Sequence, residues 1–86
     1  MGKAKVRLFA RLSELAGARE TEVELGEGLT VGDVFEALAR EYPALAGLRG
    51  SVMYALNAEY VSPDQPVRAG DEVALIPPVS GGARAV

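Results

Sequence analysis

The sequence predicts an α+β domain in which a mixed five-stranded sheet packs on one main helix, with short helices beside it. Three observations carry that expectation. Apolar residues alternate with the period of a half-buried strand in KVRLF, ETEVEL, SVMYALNAEYV and GDEVALI. One longer stretch, LTVGDVFEALAREYP, repeats its apolar residues at helical spacing instead. The resulting order is strand, strand, helix, strand, strand, strand, which folds local hairpins into one layer and lays the helix across them as a second.

Each element has its own signature. In KVRLF, Val6 and Leu8 face one way and Lys5 and Arg7 the other. The period then changes in ARLSELAG: Leu12, Leu15 and Ala16 share a face of a short helix, and Gly17 supplies a left-handed stop. ETEVEL points Val23 and Leu25 inward, with Glu22 and Glu24 outward. The main helix starts at Thr30 as N-cap, with Asp33 at the acidic position of a capping box and Leu29 and Val34 at the two positions of a hydrophobic staple. Val31, Val34, Phe35, Leu38 and Tyr42 form its buried stripe, and Pro43 ends it. ALAGLRG reads as a short irregular link with one turn of 3₁₀ helix. SVMYALNAEYV reads as two strands folded about Asn57-Ala58, since Asn tolerates the positive φ of a tight hairpin. SPDQP is a loop. RAGDEVALI turns through a glycine into a last strand with Val73 and Leu75 inward, and Glu72, Ala74 and Ile76 outward.

A helical crossover between two hairpins lets the first and last strands run parallel at the centre of the sheet. That is the β-grasp, or ubiquitin-like, arrangement. It is expected over residues 1–76, followed at 77–86 by an extended tail with Gly-Gly at 81–82. At 86 residues there is room for one domain with a modest core.

Composition narrows the chemistry. Cysteine and histidine are both absent, which removes thiol nucleophiles, disulfides, thiolate metal sites and the usual general base. A net charge of −3, with two lysines and scattered arginines, argues against a nucleic-acid partner. No apolar run reaches the length of a membrane span and MGKAKVRLF has no signal-peptide core, so the expectation is a cytoplasmic protein without a membrane partner. Ser13, Ser51, Ser62 and Ser80 have no histidine to activate them, and the twelve acids fall singly on outward positions that suit solvated charge better than a metal site. GAR, GEG and GDV lack the spacing and the lysine of a phosphate-binding loop.

The ending IPPVSGGARAV is the unusual feature. Pro77 and Pro78 cannot donate to a strand ladder, so the last strand stops at Ile76 and the prolines hold the chain in extended geometry. Val79 is a lone apolar residue on that spacer. Ser80, Gly81 and Gly82 are free to thread a narrow channel, and the six residues from Ile76 to Gly82 reach about 20 Å. A glycine carboxylate on such a tip could enter a foreign active site while the folded body stays outside.

LFARLSELAG, TVGDVFEALAREYP, ALNAEYV and above all GDEVALIPPVSGG resemble the MoaD family, the small subunits of molybdopterin synthase. The resemblance spans Lys5 to Gly82. It implies a sulfur carrier whose terminal glycine, here Gly82, is adenylated by an ATP-using activating enzyme (MoeB-like, akin to the ubiquitin-activating enzyme) and then converted to a thiocarboxylate. It further implies insertion of the tail into a large synthase subunit (MoaE-like) and sulfur transfer to cyclic pyranopterin monophosphate. No cofactor is then bound by the chain itself; ATP belongs to the activating enzyme. Gly82 is the reactive residue, with Ile76, Pro77, Pro78, Val79, Ser80 and Gly81 as partner contacts. The chain would be a reactant-bearing subunit rather than an enzyme alone. Because Ala83-Arg84-Ala85-Val86 follow Gly82, this role requires a peptidase that removes them. Two other readings stay open at this point. One is a carrier serving thiamine, tRNA or an amino acid, or a modifier conjugated to lysines. The other is a β-grasp binding module that never forms a thiocarboxylate and docks through its sheet or the Ile76 region.

Overall fold

The computed structural model describes residues 2–77. In chain order the elements are β1 (Gly2–Leu8), α1 (Arg11–Ala16), β2 (Glu20–Leu25), α2 (Val31–Glu41), a 3₁₀ helix (Pro43–Leu48), β3 (Met53–Leu56), β4 (Glu59–Val61) and β5 (Glu72–Ile76). The strands form one sheet in the order β2-β1-β5-β3-β4. β1 and β5 are parallel, with Val6 opposite Val73 and Leu8 opposite Leu75, while every other neighbouring pair is antiparallel. The β-grasp expectation is met, with the parallel pair at the interior of the sheet.

One face of the sheet and the stripe of α2 make the core. Ala4, Val6 and Leu8 of β1, Val23 and Leu25 of β2, and Val73 and Leu75 of β5 are buried with Val31, Val34, Phe35 and Leu38 of α2. Both periods of the sequence, two in the strands and 3.6 in the helix, therefore converge on one interior. β1 differs from its sequence reading at both ends. It begins at Gly2, because the six residues of β2 continue to offer partners as far as Leu25, and it stops at Leu8, before Phe9.

The start of α2 shows why this chain folds locally as it does. A helix leaves its first N–H groups without intrahelical partners. Here the Val31 N–H donates to the Gln65 carbonyl at 2.9 Å and the Gly32 N–H to the Pro63 carbonyl at 2.8 Å. The Asp33 N–H donates to Thr30 Oγ1 at 3.2 Å, and the Thr30 N–H returns to Asp33 Oδ2 at 3.0 Å, which completes the capping box. The segment read as a plain loop thus serves as a backbone cap, anchored by a bridge between Thr30 and Pro66 and by the buried side chain of Val67.

Two further segments carry more structure than their sequence announces. The link after α2 is a six-residue 3₁₀ helix beginning at Pro43, and its Leu45 is fully buried. Between β1 and α1, Ala10 adopts φ 52°, ψ −124°. The Leu12 N–H donates back to the Phe9 carbonyl at 3.0 Å, closing a tight turn that places a residue with a Cβ where glycine is preferred. Gly17 ends α1 in the left-handed region, as expected. Among the described residues no helix is long and apolar enough to cross a membrane.

Candidate functional site

The expected site lies where β5 ends. β5 stops at Ile76, and Pro77 follows outside the ladder, both half-buried. Pro78, Val79, Ser80, Gly81 and Gly82 lie outside the described residues, as do Ala83 to Val86. What can be built is therefore the base from which the tail departs.

That base is set by strand register. Val73 and Leu75 point into the core, so Ala74 and Ile76 stand on the opposite, outer face. Ile76 is paired with Met53, Ala74 with Ala55, and Ala55 in turn with Tyr60 on β4. Paired residues share a face, so these five side chains form one apolar area beside the end of β5. Met53 is 42% exposed and Tyr60 70%, whereas Ala55 is buried although it stands outside the inner core. Phe9, also 42% exposed, extends the area past the end of β1.

The other half of the outer face is ionic. Lys3, Lys5 and Arg7 of β1 stand opposite Glu24, Glu22 and Glu20 of β2. Lys3 pairs diagonally with Glu22 at 3.9 Å, and Arg7 with Glu20 at 3.7 Å and with Glu72 at 3.3 Å. These ion pairs are solvent-exposed and each contributes well under about 1 kcal/mol. Their effect is instead to cancel charge along two strands, leaving the β3–β5 half as the region where docking would bury apolar area. Arg7 marks the boundary: its guanidinium lies 5.9 Å from the centre of the Phe9 ring. A shallow hollow of about 490 Å³ opens there, lined by Arg7, Phe9, Asn57, Ala58, Glu72 and Ala74.

Perturbed ionisation occurs away from this area and has structural causes. The Arg49 guanidinium donates to both Glu36 carboxylate oxygens, at 2.7 and 2.6 Å, and holds Glu36 below its usual range. The Arg68 N–H and then the Asn57 amide hold the Asp71 carboxyl down, and burial pushes Tyr54 up. Among the described residues no group of three or more acids converges on a possible metal position.

The sequence reading placed Ile76 on the outer face, and the register agrees. It did not single out Met53, Tyr60 or Phe9. The signal for Met53 was present, since alternation in SVMYAL turns Met53 away from Tyr54 and the core. Tyr60 needed the Asn57-Ala58 turn to be fixed first, because the turn sets which β4 residue opposes Ala55.

Known proteins share this architecture and its sequence. The molybdopterin synthase sulfur carrier subunit of Chlamydomonas reinhardtii is 42% identical over 80 residues, covering 91% of this chain and 96% of that protein. The molybdopterin synthase sulfur carrier subunit of Escherichia coli is 41% identical over 80 residues, covering 91% and 98%. The crystal structure of small archaeal modifier protein 1 from Haloferax volcanii superposes with a TM-score of 0.83 at 34% identity, covering 92% of this chain and all of that one. The pattern of the ThiS family matches residues 6–82, from the first core valine of β1 to the second glycine of the pair. By sequence over nearly its whole length and by fold, the chain belongs to the ThiS family.

Proposed function

We propose that the chain is the sulfur-carrying small subunit of a molybdopterin synthase, acting through the carboxyl end of Gly82. The observation that carries this reading is its similarity, over nine-tenths of its length, to subunits of that name in an alga and a bacterium. The family match, which ends at Gly82 and leaves Ala83 to Val86 beyond the shared pattern, supports a working end at the paired glycines.

The chemistry follows from the carboxylate. A carboxylate is a poor electrophile, so its oxygen first attacks the α-phosphorus of ATP and pyrophosphate leaves. A sulfur nucleophile then adds to the acyl carbon and AMP departs, giving a thiocarboxylate. All of this takes place in a partner's active site, because the described body of this chain supplies no acid–base pair for it. The chain's contribution is a rigid domain, a face that docks, and a tip whose two glycines carry no side chains. A MoeB-like adenylating enzyme and a MoaE-like large subunit are the partners this requires, together with a peptidase that breaks the Gly82–Ala83 bond. Transfer of the sulfur to cyclic pyranopterin monophosphate completes the role.

A second reading is favoured by one observation, the structural match to a small archaeal modifier protein. There the same activated Gly82 would be passed to an amine instead of to sulfur.

The test uses a chain ending at Gly82 beside the 86-residue chain, each incubated with ATP, the cognate adenylating enzyme and a sulfide source, then weighed intact. The shorter chain is expected to exchange one oxygen for sulfur and to support molybdopterin formation with the large subunit; the longer one should do neither. Failure of the shorter chain to be activated overturns the proposal. Activation followed by attachment to lysines in place of sulfur gain selects the second reading.

A further inference from the structure

β2 is one edge of the sheet, with β1 on one side and no strand beyond it among the described residues. Antiparallel neighbours exchange both backbone bonds at every second residue. The Leu8 N–H donates to the Arg19 carbonyl at 2.8 Å, which fixes the phase. Thr21, Val23 and Leu25, opposite Val6, Ala4 and Gly2, therefore turn their N–H and C=O groups toward β1. Glu20, Glu22 and Glu24 turn theirs outward, and none of these groups has a backbone partner among the described residues. Proteins usually close such an edge with a proline, a bulge, a lysine or a charge turned inward. β2 has none of these. ETEVEL holds no proline or lysine, its register with β1 runs unbroken from Glu20 to Leu25, and its inward residues are Thr21, Val23 and Leu25.

The side chains at the open positions decide what fits there. Glu20, Glu22 and Glu24 stand together on the outer face, all exposed. Lys3, Lys5 and Arg7 flank this acidic row on its β1 side only. Arg7 lies nearer to Glu72, at 3.3 Å, than to Glu20, at 3.7 Å, and Glu24 has no ion pair among the described residues. A strand added beyond β2 sets its own outer-face residues directly opposite the three acids. A second copy of β2 is a poor occupant. Full antiparallel overlap through the open groups puts Glu22 against Glu22 and Glu20 against Glu24, and like charges directly opposite destabilise the pair. Lysine or arginine at alternate positions instead continues the order of signs: basic β1, acidic β2, basic newcomer.

We propose that the β2 edge is a docking site for an extended segment of another protein with lysine or arginine at alternate positions. The segment lies antiparallel to β2 and exchanges backbone bonds with Glu20, Glu22 and Glu24. Threonine or apolar residues between its cations prolong the layer of Thr21, Val23 and Leu25. The backbone bonds supply the hold, and the acidic row selects the partner by repelling acidic strands and further copies of itself. β1 separates this edge from β5, so a strand held here leaves Ile76 and Met53 uncovered. The edge therefore serves a second, simultaneous contact. It needs no sulfur chemistry and stands or falls separately from the function proposed above.

The test is amide hydrogen exchange on the 86-residue protein with a capped seven-residue peptide in which three lysines alternate with threonine and valine. A matching peptide carries glutamate in place of lysine. At saturation the lysine peptide should slow exchange of the Glu20, Glu22 and Glu24 amides by about tenfold or more, and leave those of Thr21, Val23 and Leu25, already bonded to β1, unchanged. Glu22→Lys, an exposed change, should weaken peptide binding about tenfold, because it removes an attraction and adds a repulsion. Attraction by charge alone slows no alternate set of amides, so binding without that pattern overturns the proposal. So does equal protection by the glutamate peptide, a Glu22→Lys variant that binds as well as the parent, or no binding at millimolar peptide. Protection of the same three amides in the free protein that rises with its concentration identifies a second copy at the edge and overturns it too. None of these readouts involves ATP or a sulfur donor, so a failure here leaves the carrier reading untouched.

Discussion

The Gly32 N–H donates to the Pro63 carbonyl at 2.8 Å, and a Cβ on Gly32 would stand 3.0 Å from that same oxygen. Glycine inside a helix normally costs about 0.5–1 kcal/mol relative to alanine. Here the usual gain from Gly32→Ala is opposed, because the oxygen cannot recede without lengthening the bond that satisfies the helix N-terminus. The substitution should lower stability by about 1 kcal/mol. Urea unfolding measures this; a variant more stable than the parent would show that the 62–66 segment gives way freely.

Ala10 presents the mirror case. Its φ of 52° and ψ of −124° suit glycine, and an alanine there stores about 1–3 kcal/mol of backbone strain. Ala10→Gly forfeits some unfolded-state entropy but relieves that strain, so it should raise stability by about 1 kcal/mol. Thermal unfolding at neutral pH decides it. A lower midpoint would mean that the turn at Phe9–Leu12 is not strained.

Leu45 tests the unexpected core. It sits in the 3₁₀ helix, is fully buried, and packs within the same cluster as Leu12, Phe35 and Leu38. Leu45→Ala leaves a cavity in a segment held between α1 and α2, and should cost about 3 kcal/mol. For a domain of this size that is a large part of the total. A loss under about 1 kcal/mol, the scale of a surface substitution, would place Leu45 outside the core.

Asp71 gives the domain an acid limb. Its Oδ2 accepts from the Arg68 N–H at 2.8 Å and its Oδ1 from the Asn57 amide at 3.1 Å, and these bonds lower its pKa in the folded state. A depressed carboxyl stabilises the fold fully above its unfolded value, near pH 4, and the contribution disappears as pH falls through the lower, folded value. Glu36, held down by Arg49, acts in the same direction. Asp71→Asn should therefore flatten, without abolishing, the fall in urea midpoint below pH 4. An unchanged acid slope would exclude Asp71 as a contributor.

What the sequence made legible follows from where the determining forces are. Strand alternation, the stripe of α2, the capping box and the Asn57-Ala58 hairpin all depend on residues within a few positions of one another, and each appears in the structure as read, except that Tyr42 caps the end of α2 and is only half-buried. The burial of Leu45 and Val67 was not legible, because single apolar residues in irregular segments have no period to reveal them. The Gly32–Pro63 approach joins positions 31 residues apart, and no local pattern encodes it. At the site the same division holds. Ile76 was placed by alternation, whereas Met53 and Tyr60 join it through cross-strand register, which exists only once β3, β4 and β5 are assembled.

The pair of Ile76 and Met53 is where the carrier reading meets measurable affinity. Both stand on the outer face at the base of the tail, and the ionic half of that face is already neutralised by its own cross-strand pairs. On that reading, docking buries the apolar half and leaves Lys5, opposite Glu22, at the rim. Ile76→Asp should then cost about 2 kcal/mol in binding to the large synthase subunit, roughly thirty-fold in Kd, because it places a charge in a desolvated contact. Lys5→Ala should change affinity several-fold less and act mainly through the association rate. Calorimetric titration of chains ending at Gly82 reads both, and circular dichroism confirms that each variant remains folded. If Lys5→Ala weakens the complex as much as Ile76→Asp does, the partner is held by the ionic strands and the apolar area at the end of β5 is not the docking face.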